Sequence, residues 1–228
     1  MKKFFYILLV TGLFFGFTSC VEEEPATDQT QTETPEHGGD DNDDENGNND
    51  YENPNPVGGN VLVVYYSYTN NTYTIVTDLL TQIEADVVRI EPAEKGLDYA
   101  ANNYALGSAL IAAIRENPND ASSYPAIDPV EVEFESYSTV IVAAPLWWSN
   151  MAAPLQTFLF NHGDEMAGKN IGLIVSSASS GISGVEADAK RLVPEGNFLT
   201  PSLWIRASQT SNCHAMTTEW LENIGLIK

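Results

Sequence analysis

The sequence predicts an α/β domain in which a parallel sheet of five strands is covered by helices on both faces. Three observations lead to this fold class. Past residue 57, apolar runs alternate regularly with helical patterns. The runs are apolar throughout rather than at every second residue, which is typical of strands buried on both faces. No internal repeat interrupts the alternation, so 57–228 is predicted to be one doubly wound domain.

Each element of the alternation is identified by its own pattern. The first strand is a continuous β-branched and aromatic run, and the helix after it places Ile75, Leu79 and Ile83 on one stripe. Asn161-His162-Gly163 supplies a stop signal for the third helix. The predicted strands are 61–66, 86–91, 139–144, 171–175 and 199–206. The predicted helices are 71–83, 99–115, 152–160, 185–192 and 217–224.

The first 20 residues have the pattern of an export signal. Lys2 and Lys3 precede an apolar run over 4–17, which is shorter than the roughly 20 residues that span a bilayer. Thr18-Ser19-Cys20 ends this segment and resembles a bacterial lipoprotein signal. The resemblance implies that 1–19 is removed and that Cys20 is lipidated, on the periplasmic face of a membrane or at the cell surface. A plain secretory signal is the alternative, and it also places the domain outside the cytoplasm.

Residues 20–56 are expected to form a disordered acidic tether. The segment 21–56 contains 13 acidic residues, no Lys or Arg, and almost no aliphatic side chains to bury. Acids directly behind a lipidated cysteine resemble the surface-export signal of some Gram-negative lipoproteins, and a solvated linker explains them equally well.

The charge of the domain itself limits its partners. Residues 57–228 carry 19 acidic against 8 basic side chains, so phosphate backbones and anionic headgroups would repel them. The sequence therefore predicts no nucleic-acid partner, and membrane contact only through the lipid anchor.

Three of the predicted strands end in loops that are rich in ligand-type residues. In sheets of this kind, ligands bind outside the carboxyl ends of the strands. The first strand leads into 67–72, where hydroxyls and amides open a helix that favours an anion without needing a cation. The third leads into 145–151, where adjacent tryptophans offer a wall for a flat ring, and the fourth into the small residues of 176–184. Taken alone, each loop also has a purely structural explanation: a helix cap for the first, core packing of the tryptophans for the second, and a solvated loop for the third.

These loops resemble the motifs of a known family. The first, Ser67-Tyr68-Thr69-Asn70-Asn71-Thr72, is similar to the Ser-x-Thr-Gly-Asn-Thr phosphate loop of flavodoxin-like proteins. The second, Pro145-Leu146-Trp147-Trp148, is similar to the Pro-Ile-Trp-Trp segment of a bacterial subgroup with short chains. The resemblance covers essentially all of 60–228 and implies the flavodoxin fold with strand order 2-1-3-4-5. Further matches to the subgroup are Ala153-Pro154, Thr157-Phe158-Leu159, Glu91-Pro92 and Tyr124-Pro125-Ala126-Ile127.

The resemblance implies that FMN is bound noncovalently. The first loop would hold the phosphate, the second would line the isoalloxazine, and the third would close its other edge. Asn70 stands where the family often has Gly, a change that Asn tolerates because it accepts left-handed backbone angles. Ala178-Ser179 stands where the family often has Gly-Gly, so the added Cβ atoms oppose the approach of the backbone to the ring. The implied cofactor-binding residues are Ser67, Thr69, Asn70, Asn71, Thr72, Pro145, Leu146, Trp147, Trp148, Ser176, Ser177, Ala178, Ser180 and Gly181.

The sequence is compatible with two classes of function. The first is a flavoprotein of extracytoplasmic electron transfer or flavin-dependent reduction, an electron carrier or a quinone reductase-like enzyme. Its partner would be an unidentified redox protein or a small-molecule acceptor, and because FMN supplies the chemistry no catalytic side chain or metal is assigned. The second is an exported binding module with a degenerate flavin site. A serine hydrolase is excluded, since no Gly-x-Ser-x-Gly motif and only three histidines occur.

Overall fold

The computed structural model describes residues 60–228, which form a mainly parallel sheet with helices on both faces. The expected signal and tether, 1–19 and 20–56 with Cys20, lie outside the described residues. Within 60–228 no helix has both the length and the apolar character needed to cross a membrane. The strands are β1 Val61–Tyr65, β2 Asp86–Arg89, β3 Thr139–Trp147, β4 Asn150–Met151, β5 Asn170–Ser177, β6 Asn197–Phe198 and β7 Leu203–Arg206. The helices are α1 Asn71–Leu79, α2 Ala101–Glu116, α3 Ala153–His162, α4 Ser183–Leu192 and α5 His214–Asn223.

The order of strands confirms the predicted fold class. The sheet runs β2-β1-β3-β5-β6, and β7 also pairs with β5. All of these pairs are parallel, as in the order 2-1-3-4-5. The predicted fifth strand, 199–206, is shortened to β7, and the separate strand β6 precedes it. Pro201, which has no N–H to donate to a sheet, lies between the two. The short strand β4 pairs antiparallel with the end of β3, and the sequence did not predict this hairpin.

Each face of the sheet has its own hydrophobic core. Leu62 and Val64 of β1 point to the face that is covered by α2, α3 and α4. Val61 and Val63 point to the opposite face, where α1 and α5 pack. Because both faces are covered, β1 is apolar at every position, which explains the continuous runs in the sequence.

Several element boundaries differ from prediction. β3 continues through Trp147 instead of ending at 144, because its pairing with β5 extends to Pro145 opposite Ser176. α1 ends at Leu79 instead of 83, since the N–H of Thr81 bonds the Asp78 carbonyl at 2.9 Å in a tighter turn.

The edges of the sheet are short and charged. β2 forms one edge with four residues, and Asp86, Val87 and Arg89 are exposed there. Just past β2, a bridge joins Pro92 to Ile127. The other edge consists of the separate pieces β6 and β7.

Candidate functional site

A cleft of about 340 Å³ opens at the carboxyl ends of β1, β3 and β5. This is the position at which sheets of this type bind ligands. None of the residues that line the cleft is charged, although the domain is strongly acidic. The lining consists of Tyr68, Thr69, Asn71, Tyr99, Tyr104, Gly107, Pro145, Leu146, Trp147, Trp148, Ser176, Ser177, Ala178 and Ala207.

All three sequence-predicted loops contribute to this cleft. The predicted residues that line it are Thr69, Asn71, Pro145, Leu146, Trp147, Trp148, Ser176, Ser177 and Ala178. The other predicted residues, Ser67, Asn70, Thr72, Ser180 and Gly181, belong to the same loops but are not part of the lining. Ser67 instead lines a smaller neighbouring cavity of about 190 Å³.

The loop between β1 and α1 leads into the helix with a left-handed residue and a buried, unpaired hydroxyl. Asn70 has a φ of 64°, the left-handed conformation that Asn tolerates better than most residues. The Ser67 Oγ accepts the N–H of Tyr73 at 3.2 Å, which ties the end of β1 to the helix. The Thr72 Oγ1 is buried and has no hydrogen-bond partner among the described residues. An unpaired buried hydroxyl in a native fold calls for an explanation, and this one lies at the start of a helix, where anions bind in other proteins.

The two tryptophans of the second loop have different environments. The Trp147 ring is partly buried and lies 4.8 Å from the Tyr99 ring and 5.7 Å from the Tyr66 ring, between centroids. The Trp148 ring is turned by 80° from that of Trp147 and remains 40% exposed at the rim of the cleft. Trp147 therefore belongs to the margin of the core, and Trp148 forms an outer wall.

The third loop is ordered by Ser177. Its Oγ donates to the Ser180 carbonyl at 2.9 Å and accepts the indole N–H of Trp204 at 2.8 Å. Neither Ala178 nor Ser179 has a positive φ, so neither position needs the left-handed backbone that favours glycine. Of these two residues, Ala178 lines the cleft and Ser179 does not.

One wall of the cleft, contributed by the start of α2, was not predicted from the sequence. Gly107 lies on α2, and Tyr104 precedes the regular part of that helix with a left-handed φ of 62°. Asp98 holds the segment ahead of the helix, because its Oδ1 accepts the Ala100 N–H at 2.9 Å and the Tyr68 hydroxyl at 3.0 Å. These donors lower the pKa of Asp98, that of Ala100 most strongly. No local signal in the sequence places these residues beside the three loops, because their position depends on tertiary packing.

Two buried tyrosines lie at the inner part of the site: Tyr99 lines the cleft, and Tyr66 packs behind Trp147 and lines the smaller neighbouring cavity. Burial raises the pKa values of Tyr66 and Tyr99, so both hydroxyls keep their protons at neutral pH. Together with the uncharged lining, they give the cleft an apolar and aromatic interior with hydroxyl groups at one end. Such a surface suits a flat, uncharged ring that carries an anionic group.

Comparisons with known proteins agree with this geometry. The flavodoxin family model matches residues 60–224. A predicted flavoprotein of Bacteroides eggerthii is 23% identical, with 75% of this chain and 100% of that chain covered and a TM-score of 0.59. Its counterpart in Bacteroides uniformis is 22% identical, with 72% and 99% covered and a TM-score of 0.56. A flavoprotein in complex with FMN from Lactobacillus acidophilus is 16% identical, with 69% and 99% covered and a TM-score of 0.54.

A search of curated proteins finds no match. The family model, however, spans nearly the whole described range and more than half of the chain. This chain therefore belongs to the flavodoxin family.

Proposed function

We propose that this protein binds FMN in the cleft and acts in extracytoplasmic electron transfer or flavin-dependent reduction. The observation that carries the proposal is the unpaired, buried hydroxyl of Thr72 at the start of α1, beside a cleft with an uncharged aromatic lining. When bound, FMN supplies the redox chemistry. The protein binds the flavin, orients its ring and limits the access of water.

The phosphate end of the cleft fits an anion without help from a cation. The first N–H groups of a helix have no acceptor within it, and the helix dipole adds partial positive charge at that end. Thr69 and Asn71 line the cleft beside α1, and the Asn71 Nδ2 donates to the Thr69 Oγ1 at 3.3 Å. Ser67, Thr69, Asn71 and Thr72 would hold the phosphate.

The ring end of the cleft fits a flat heteroaromatic group. Trp147 and Trp148 supply aromatic faces and edges, and Ser176 to Ala178 border the opposite side. The Lactobacillus acidophilus protein of similar fold is described in complex with FMN, which supports FMN as the flavin.

The proposed location rests on the start of the sequence. Lys2 and Lys3, the apolar run and Cys20 have the order of a lipoprotein signal, and an acidic segment separates Cys20 from the domain. We propose that the mature chain is anchored to a bacterial membrane through Cys20. Its redox partner would then be a membrane protein within reach of the tether, or a small-molecule acceptor.

Titration of the protein with FMN and riboflavin tests the proposed cofactor. The mature chain with Cys20→Ser would be followed by flavin fluorescence. We expect FMN to bind at least about tenfold more tightly than riboflavin, a difference of about 1.4 kcal/mol. Equal affinities would contradict the phosphate assignment. Failure to bind either flavin would favour the alternative, a binding module with a degenerate flavin site.

Labelling of cells with a fatty-acid analogue tests the proposed anchor. We expect the wild-type protein to take up the label and to fractionate with membranes. Cys20→Ser should abolish both properties, and Cys213→Ser, which changes a buried thiol of the domain, should change neither. Labelling that persists in Cys20→Ser would contradict the anchor.

A further inference from the structure

The turn that carries Trp148 has a backbone conformation that requires support. Trp148 and Ser149 connect β3 to β4 with φ values of 46° and 65°, both in the left-handed region. Two-residue hairpin turns of this kind are typically Asn-Gly, because residues with bulky side chains are strained there. Strained residues persist only where their surroundings hold them, and they cluster at ligand sites.

One support for the turn comes from α2. Arg115 donates from Nη2 to the Trp148 carbonyl and from Nε to the Asn150 Oδ1, the latter at 2.7 Å. The same helix lies against the Trp148 ring. A Cβ added to Gly107 would lie 2.9 Å from Cζ3 of that ring, so glycine permits this close approach.

A second support comes from α4 through Asp188. Its Oδ2 accepts the Asn150 Nδ2 and the Met151 N–H, each at 2.9 Å, directly behind the turn. Gly184, in the first turn of α4, lies so close that an added Cβ would be 1.9 Å from the Ser149 carbonyl oxygen. The turn is thus held from two helices at once.

Asp188 is itself fixed in place. Its side chain is buried, with the residue only 7% exposed, and a buried carboxylate is tolerated only when donors surround it. The Asp188 Oδ1 faces Arg191 Nη2 at 3.3 Å. Arg191 in turn donates to the Gln156 Oε1 and the Tyr124 hydroxyl, both at 2.9 Å. The network joins the core of α3 and α4 to the strained turn.

We propose that Asp188 is a positioning residue that fixes Trp148 as a preformed wall of the ligand cleft. It touches no part of the cleft lining itself and acts through Asn150 and Met151. A wall that is already ordered does not lose conformational freedom when a ligand binds, so affinity is higher. The identity of the ligand rests on the proposed function, whereas the control of Trp148 by Asp188 does not.

The first measurement needs no flavin. The indole N–H signal of Trp148 can be assigned in the NMR spectrum by its loss in Trp148→Phe. In Asp188→Asn we expect this signal to shift and broaden, because an amide cannot offer acceptors both to Arg191 and to the turn. The indole of Trp220, which donates to the Pro201 carbonyl at 2.7 Å, should keep its position and serves as an internal control.

Arg115→Ala is the second variant. It is needed because Asp188→Asn changes a buried residue and could unfold the domain. Arg115 is exposed, so its removal should leave the domain folded while releasing the Trp148 carbonyl. Glu116→Ala, an exposed neighbour on α2, is the matched control and should leave the Trp148 signal unchanged.

FMN titration of the same proteins supplies the second measurement. We expect Asp188→Asn and Arg115→Ala each to weaken FMN binding by roughly tenfold, with Glu116→Ala at the wild-type value. An unchanged Trp148 signal in Asp188→Asn would overturn the proposal whatever Arg115→Ala does, and so would a perturbed signal with unchanged FMN affinity. If the wild-type protein binds no FMN, the proposed function fails, and the Trp148 signal alone then decides whether Asp188 positions the turn.

Discussion

The ring end and the phosphate end of the cleft are built in opposite ways. At the ring end, the strained turn is held by hydrogen bonds from Arg115 and to Asp188. At the phosphate end, the Thr72 hydroxyl is buried without a partner among residues 60–228, and Asn70 has a left-handed backbone with no side-chain cap. The turn at the first end is thus held by side chains of the protein, whereas the Thr72 hydroxyl at the second end has no such partner.

The two ends are therefore expected to contribute differently to the binding of a ligand. A preformed wall contributes affinity because little order is lost when a ring meets it. An unpaired hydroxyl contributes selectivity, because only a ligand with an acceptor at that point relieves it. The ring end should therefore set how tightly any flavin binds, and the phosphate end should set which flavin is preferred.

The largest expected effect separates the two tryptophans of the ring end. Trp147→Ala removes a ring packed against Tyr66 and Tyr99, and should cost about 2–3 kcal/mol of unfolding free energy, less than a fully buried tryptophan. Trp148→Ala should leave stability within about 0.5 kcal/mol but weaken FMN binding by roughly 1–2 kcal/mol. Urea denaturation and flavin titration give the two numbers. Equal stability losses in both variants would show that Trp148 is also a core residue.

An intermediate effect is expected at the phosphate end. Thr72→Val replaces the unpaired hydroxyl by a methyl group of similar size, and should weaken FMN binding by roughly 1.5 kcal/mol while riboflavin binds as before. The stability of the flavin-free protein should not fall, since no hydrogen bond is lost.

Thr139→Val is the matched control for this change. Thr139 is equally buried and its hydroxyl is also unpaired among the described residues, but it lies at the amino end of β3, away from the cleft. It should leave FMN affinity unchanged. If both variants change FMN affinity alike, the Thr72 hydroxyl does not meet the phosphate.

The smallest effect concerns the anchoring of α1, which carries the phosphate loop at its other end. Asp78 accepts the Thr217 hydroxyl at 2.7 Å and lies 2.9 Å from the His214 Nδ1. Burial raises the pKa of Asp78, but hydrogen bonds from Thr217 and His214 and the His214 charge outweigh it, so the pKa falls below its ordinary value of 3.8.

A carboxyl group whose pKa is lowered in the folded protein stabilises the fold at pH values above its ordinary pKa. This stabilisation is lost as the pH falls through the lowered pKa of the folded state. We therefore expect stability to decline below about pH 4, and Asp78→Asn to flatten that decline. Thermal unfolding measured from pH 6 to pH 3 checks this. The exposed Glu219→Gln on α5 should keep the wild-type slope, and an unchanged slope in Asp78→Asn would exclude the anchoring role.

The parts of the fold that sequence reasoning found are those that local patterns determine. The apolar run of β1 and the hydroxyl-rich loop after it could be read directly, because burial and helix initiation act over a few neighbouring residues. The β3–β4 hairpin was missed because Pro145 indicates a break and Trp148-Ser149 is not a usual turn pair.

The missing parts of the site depend on tertiary approach. Gly107 is one small residue in an Ala-rich helix, and the need for glycine there becomes evident only from the Trp148 ring that packs against it. Asp188 likewise looks like a solvated residue of an amphipathic helix until the fold buries it beneath Asn150. No spacing in the sequence distinguishes such residues from ordinary surface positions, because their partners lie far away along the chain.

The short edges of the sheet affect how copies of the protein can associate with one another. An exposed strand edge is a template on which another chain can add a strand, and proteins block it with short strands, charges and proline. Here β2 has only four residues with Asp86 and Arg89 among them, and Pro201 interrupts the opposite edge between β6 and β7. Copies held side by side on one membrane, as we propose, would meet at high local concentration. Within residues 60–228, their sheets nevertheless present no long, continuous edge on which a second copy could add a strand.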